Sequence, residues 1–105
     1  MQLTQKMTDI PASVSVTTAS IPVDCAQMNK ICFQVTSTGA ATVAADIQQS
    51  NDGVNWLNTG NTAAITVTGT VLVEDTAFPA RYCRLNLVVS SGSLTNVSVV
   101  FNGKF

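Results

Sequence analysis

The fold is decided by residues 31–56, which read ICFQVTSTGAATVAADIQQSNDGVNW. Apolar side chains take every second position in two runs, first at Ile31, Phe33 and Val35, then at Val43, Ala45 and Ile47. Because successive side chains of a strand point to opposite faces, each run predicts a strand that buries one face. Gly39 and the Asn-Asp-Gly triplet at 51–53 predict the turns that follow the two runs.

Turn signals continue along the rest of the chain, at Gly60, Gly69, Pro79, Gly92 and Gly103. Short strands at this spacing are typical of a sandwich or a small barrel. The segments between the signals are rich in Val, Ile, Thr and aromatic residues, which favour strands. The further predicted strands are Ser13–Thr17, Ala63–Thr68, Val71–Glu74, Tyr82–Ser90 and Leu94–Phe101.

These patterns predict an all-β protein, a two-sheet antiparallel β-sandwich of seven to eight strands with a jelly-roll-like order. Only residues 24–29 have a composition that suits a short helix. A chain of 105 residues supports one domain, which we assign to residues 12–105. Residues 1–11 are rich in Gln and Thr and end at Pro11, which predicts an N-terminal arm that lies across a neighbour in an assembly.

Charged residues are scarce, at 10% of the chain, where a soluble domain usually carries about 25%. The net charge of -1 provides no cationic surface for phosphates, so we expect no nucleic-acid partner. Proteins usually keep charge on the outside for solubility, and a surface this neutral favours a chain that packs against other proteins and against itself. The alternative is a merely polar monomer.

Histidine is absent, which removes the side chain most used for proton transfer near neutral pH. We therefore expect neither an enzyme nor a bound cofactor. The three cysteines, Cys25, Cys32 and Cys83, lack a fourth ligand for zinc, and we interpret them as reduced, buried thiols. Calcium would need six or more oxygen ligands, so no metal site is predicted.

The segment 50–56, SNDGVNW, has two open interpretations. In the first, residues 51–53 form a tight hairpin turn, and Trp56 enters the next strand as the largest apolar residue of the core. In the second, Trp56 stacks on a sugar face beside Asp52.

The segment 78–85, FPARYCRL, predicts the start of a long strand after Pro79. Arg81 or Arg84 is expected to pair with a carboxylate at the edge of the sheet. In the ligand-binding alternative, Arg81 and Tyr82 join Trp56 and Asp52, and the arginine holds a ligand carboxylate or a neighbouring subunit.

Residues 1–10 contain no apolar run behind a basic start, so no signal peptide is predicted. No stretch approaches the ~18 apolar residues that span a bilayer, and no membrane partner is expected. The cysteine content fits folding in a reducing cytoplasm.

Two signatures, Ser-x-Asp-Gly-x-x-Trp at 50–56 and Phe-Pro-Ala-Arg-Tyr-Cys-Arg-Leu at 78–85, resemble the pattern of discoidin domains, which are sugar- or lipid-binding β-sandwiches. The same pair resembles small virion structural proteins of tailed bacteriophages, of the head decoration or cement type. The resemblance covers residues 30–101. The chain is shorter than discoidin domains, and its cysteines do not supply their terminal disulfide, so only fold and structural role are carried over.

The resemblance implies a capsid decoration or cement subunit that stabilises the shell by contacts with capsid or other virion proteins. Such a protein would be made in the host cytoplasm and reside in the virion. The alternatives are a carbohydrate-binding module for adhesion to the host surface and a tail or head-fibre component.

Overall fold

The computed structural model describes residues 2–104, which form nine strands in two antiparallel sheets. The strands are β1 (Gln2–Lys6), β2 (Thr18–Ala19), β3 (Val23–Asp24), β4 (Lys30–Thr38), β5 (Ala41–Ser50), β6 (Leu57–Ile65), β7 (Gly69–Asp75), β8 (Tyr82–Gly92) and β9 (Thr95–Lys104). The predicted all-β, two-sheet antiparallel sandwich is confirmed. The count is higher than the predicted seven to eight because three short strands precede β4.

One sheet has four strands in the order β1-β9-β4-β7, and the other has the order β2-β8-β5-β6, with β3 also paired to β8. The strands β6 and β7 are edge strands of the two sheets and contact each other along one side of the sandwich. The opposite side carries β1 and the very short β2 and β3.

The core lies between the sheets and is built by the alternation seen in the sequence. Phe33 of β4 stands opposite Phe101 of β9, and the two ring centroids are 5.2 Å apart at a tilted angle. Ile47 and Leu85 form the corresponding buried pair of β5 and β8. Each such side chain contributes about 1.5–3 kcal/mol through its burial. Met28 packs so closely against Gly103 that a side chain at position 103 would collide with it.

Residues 2–10 do not form the arm that their polar composition suggested. The five residues of β1 pair antiparallel with β9. Met7 and Ile10 are only 2% and 7% exposed and belong to the hydrophobic core. The polar composition wrongly predicted an arm because β1 is an edge strand, which can carry polar side chains. The apolar residues that anchor the segment in the core come after this strand.

Three local predictions also differ from the structure. In the predicted strand 13–17, Val14 makes a single bridge to Leu94. Residues 24–29 form the end of β3 and a turn, in which the Met28 N–H donates to the Cys25 carbonyl at 2.9 Å, rather than a helix. The strand β6 begins at Leu57 rather than Ala63, because an edge strand with little burial has no apolar alternation to reveal it.

Candidate functional site

The loop 51–56 is organised around the carboxylate of Asp52. Its Oδ1 atom accepts hydrogen bonds from the N–H groups of Asn55 at 2.9 Å and Val54 at 2.8 Å, and from the Ser50 hydroxyl at 2.8 Å. Its Oδ2 atom accepts from the Asn55 side-chain amide at 2.8 Å. These donors, led by the Asn55 and Val54 N–H groups, hold the pKa of Asp52 well below its ordinary value. The Asp52 carboxylate therefore stabilises its own loop through these hydrogen bonds.

The predicted turn is present but wider than a tight hairpin. Gly53 has a φ of 74°, in the left-handed region that glycine adopts most readily. Its N–H donates to the Ser50 hydroxyl at 2.8 Å, and its backbone faces the ring of Tyr82. The loop thus packs against the first residue of β8.

Trp56 is half-buried and lies outside the hydrophobic core, so the prediction of a core tryptophan is wrong. The guanidinium Cζ of Arg84 lies 4.5 Å from the centroid of the indole ring. Arg84 Nε donates to Gln48 Oε1 at 2.7 Å, and Gln48 Nε2 donates to Asn58 Oδ1 at 3.0 Å. Because Gln48 and Arg84 alternate with buried residues of β5 and β8, this cluster covers the outer face of the five-stranded sheet.

Arg81 pairs with a carboxylate of its own chain, as predicted for an arginine at a sheet edge. Its Nη2 atom lies 3.4 Å from Asp24 Oδ2, and both side chains are more than half exposed. Its Cζ atom is 5.2 Å from the centroid of the Tyr82 ring, and its N–H donates to Asn51 Oδ1 at 3.1 Å. Arg81, Tyr82 and the Asp52 loop therefore meet at one end of the sandwich, while Trp56 contacts Arg84.

A groove of about 390 Å³ runs beside this loop. It is lined by residues 49–52, Asn55, Leu57, Pro79 and Ala80. Of the four residues predicted for a ligand site, only Asp52 lines the groove. The groove offers amide groups and a small apolar wall.

The most distinctive surface is the side formed by β6, the turn after it and β7 as far as Val73. We call residues 57–73 the neutral edge, because residues 53–73 contain no charged side chain. Leu57 is 71% exposed and Leu72 is 62% exposed, and Val67 in the turn is exposed as well. The strand patterns do not reveal this surface, although the absence of charge between Asp52 and Glu74 is visible in the sequence.

The cysteines do not converge on one site. Cys25 and Cys83 are buried, as predicted, and their sulfur atoms are 3.0 Å apart. Cys32 is only half-buried and belongs to β4 in the other sheet. Within residues 2–104, no cluster of three His, Cys, Asp or Glu side chains has a metal-binding arrangement. No helix in the same range is long and apolar enough to cross a membrane.

The solved structures that share this fold include the PBSX exported protein XepA and PirA. The PBSX exported protein XepA aligns with a TM-score of 0.69 at 11% identity, over 96% of this chain and 36% of XepA, so this chain spans about a third of that protein. PirA aligns with a TM-score of 0.60 at 8% identity, over 98% of this chain and 93% of PirA. At these identities the likeness shows the fold alone.

Comparison with curated protein sequences gives no significant match. A family model does match, and it covers residues 24–105, which is most of the sandwich. The chain therefore belongs to the DUF6385 family, a domain of unknown function.

Proposed function

We propose that this chain is a structural protein of a bacteriophage virion, a capsid decoration or cement subunit that associates with the shell and with copies of itself. The single observation that carries the proposal is the neutral edge. No charged residue interrupts it, and large apolar side chains are exposed along it. Monomeric proteins usually place charged side chains on exposed strand edges, and this edge carries none.

The backbone of β6 adds a specific means of association. This strand is nine residues long and pairs only with β5 among residues 2–104, so its outer N–H and C=O groups face away from the sandwich. A bulge around Gly60, where the pairing with β5 shifts register, divides this edge into two shorter stretches. Monomeric proteins usually protect such an edge with charges, proline, bulges or a very short strand. β6 has a bulge but neither charge nor proline, whereas the opposite side has the short β2 and β3 and the charged residues Lys6 and Asp24.

The absence of charge on this edge favours a second copy of the chain as its binding partner. When an uncharged strand pairs with the same strand of another molecule, no like charges meet. The sandwich measures 36 × 27 × 21 Å, so a side that is 21 Å wide covers less than the ~800 Å² per partner of a standard interface. Contacts with the capsid shell would supply the rest of the interface area.

The resemblance of segments 50–56 and 78–85 to virion proteins supports the phage assignment, and XepA, described as a PBSX exported protein, shares the fold. The scarcity of charge in the whole chain supports a location among other proteins.

Binding to phage heads tests the proposal. Purified protein is mixed with heads of the source phage that lack it, and the heads are sedimented and imaged by electron cryomicroscopy. We expect saturable binding and density for the sandwich on the head surface. Density on the tail or on a fibre would show that the protein is a tail or head-fibre component and not a capsid decoration subunit. Protein that stays in the supernatant at all concentrations would contradict a virion role.

A carbohydrate-binding module is the second candidate, supported by the groove of about 390 Å³ beside Asp52. Trp56 is the single tryptophan and lies between two groove residues, Asn55 and Leu57. Its fluorescence therefore reports ligand binding. A saturable change with host-surface oligosaccharides, lost in Asn55→Ala, would support this function, and no change at millimolar sugar would reject it.

A further inference from the structure

Two buried thiols stand side by side at the junction of β3 and β8. The strands pair antiparallel with Val23 opposite Cys83 and Asp24 opposite Tyr82. The next residue, Cys25, donates its N–H to the Arg81 carbonyl, which continues the pairing by one step. Cys25 and Cys83 are therefore diagonal neighbours, and their Sγ atoms are 3.0 Å apart.

We propose that Cys25 and Cys83 form a disulfide when the protein meets an oxidising environment, and that this bond fastens the N-terminal segment to the centre of the five-stranded sheet. An S–S bond is about 2.05 Å long, so each sulfur needs to move by only about half an ångström. The inference is independent of the proposed virion role, because it rests on these two residues alone.

The arrangement also assigns the two sulfurs different tasks. A hydrogen bond from the Cys83 thiol lowers the pKa of Cys25, while the same bond and burial raise the pKa of Cys83. Cys25 also lies next to the exposed turn at Ala26 and Gln27, so we expect its sulfur to be the one that attacks first. The oxidant is a low-molecular-weight disulfide, RSSR.

In the first step, the Cys25 thiolate attacks one sulfur of RSSR, which forms a Cys25–SR mixed disulfide and releases RS⁻. The Cys83 thiol then gives its proton to RS⁻, and its sulfur attacks Cys25 Sγ, which releases the second RS⁻. This second anion takes from water the proton that Cys25 lost when it became a thiolate. The protein loses two hydrogens in total, and RSSR is reduced to two RSH.

Access to these buried sulfurs requires local opening. The strand β3 has two residues and, among the residues that the structure describes, pairs only with β8, so it is held by few hydrogen bonds. Short, edge-located elements of this kind open at a much lower cost than the whole fold. Oxidation is therefore expected to be slow in the folded protein and fast during refolding.

The test uses the reduced full chain, incubated with oxidised glutathione both in the folded state and during refolding from urea. Mass spectrometry should find the loss of two hydrogens and a peptide containing Cys25 linked to one containing Cys83. The bond closes a long loop, so the melting temperature should rise by about 10 °C or more and return to its first value with dithiothreitol.

Three variants make the result specific. Cys25→Ser and Cys83→Ser should form no intramolecular disulfide, and Cys32→Ser should behave as the wild type. Free thiols at Cys25 and Cys83 after oxidative refolding, a stable glutathione adduct on Cys25, or a bond that includes Cys32 would each overturn the proposal. A disulfide that leaves the melting temperature unchanged would overturn its fastening role.

Discussion

The guanidinium of Arg84 lies over the indole ring of Trp56, with Cζ 4.5 Å from the ring centroid. This contact places the largest side chain of the protein on the outer face of a sheet. An arginine at this distance interacts favourably with the electron-rich face of the ring. The pair therefore fixes where the loop 51–56 rejoins the sheet, just before β6 begins at Leu57.

Replacing Trp56 by Ala should lower the free energy of unfolding by about 1–2 kcal/mol, which combines a cation–π contact of roughly 0.5–1 kcal/mol with partial burial. Loss of a core tryptophan would cost about 3–5 kcal/mol. Urea unfolding followed by circular dichroism measures the change. A double-mutant cycle with Arg84→Ala should give a coupling of about 0.5–1 kcal/mol, and Trp56→Phe should retain part of it. A coupling near zero would show that the contact contributes nothing.

The Asp52 carboxylate predicts a specific loss of stability in acid. The pKa of Asp52 in the folded protein is below the ordinary value of 3.8. At pH values between the two pKa values, the unfolded chain therefore binds a proton that the folded chain does not. Stability from this group is complete above the ordinary pKa and is lost as the pH falls towards the folded value. In Asp52→Asn, unfolding free energies between pH 5 and pH 2.5 should fall less steeply than in the wild type. Parallel curves would refute this role.

The segment before β2 should be essential to the sandwich. Met7 is 2% exposed and its N–H donates to the Val99 carbonyl at 2.8 Å. Met7→Ala should cost about 2–4 kcal/mol, whereas the exposed neighbour Thr8→Ala should cost less than about 0.5 kcal/mol. Deletion of residues 1–11 should lower the melting temperature strongly. A truncated chain with unchanged stability would show that this segment is an arm after all.

The sequence predicted best where one face of a strand is buried. The alternation at Ile31, Phe33 and Val35 became the inner face of β4, and that at Val43, Ala45 and Ile47 became the inner face of β5. Edge strands were harder to predict, because β1 and the first half of β6 bury little and carry polar residues.

The candidate site was predicted only in part. The composition of loop 51–56 indicated a turn, and Gly53 has the expected positive φ. The position of Trp56 depends on Arg84, which comes from another strand, so no local pattern reveals it. The closeness of Cys25 and Cys83 likewise depends on the pairing of β3 with β8.

Association through the neutral edge is best tested by measuring the mass of the protein in solution. Sedimentation velocity over a wide concentration range should show species larger than the 11.0 kDa monomer in the wild type. Leu57→Lys places a charge on the edge and should shift the protein to monomer. Val16→Lys is the matched control, because Val16 is 69% exposed and lies outside the edge, and it should associate as the wild type does. A wild type that remains monomeric at every concentration, or equal association of a folded Leu57→Lys variant, would contradict the claim.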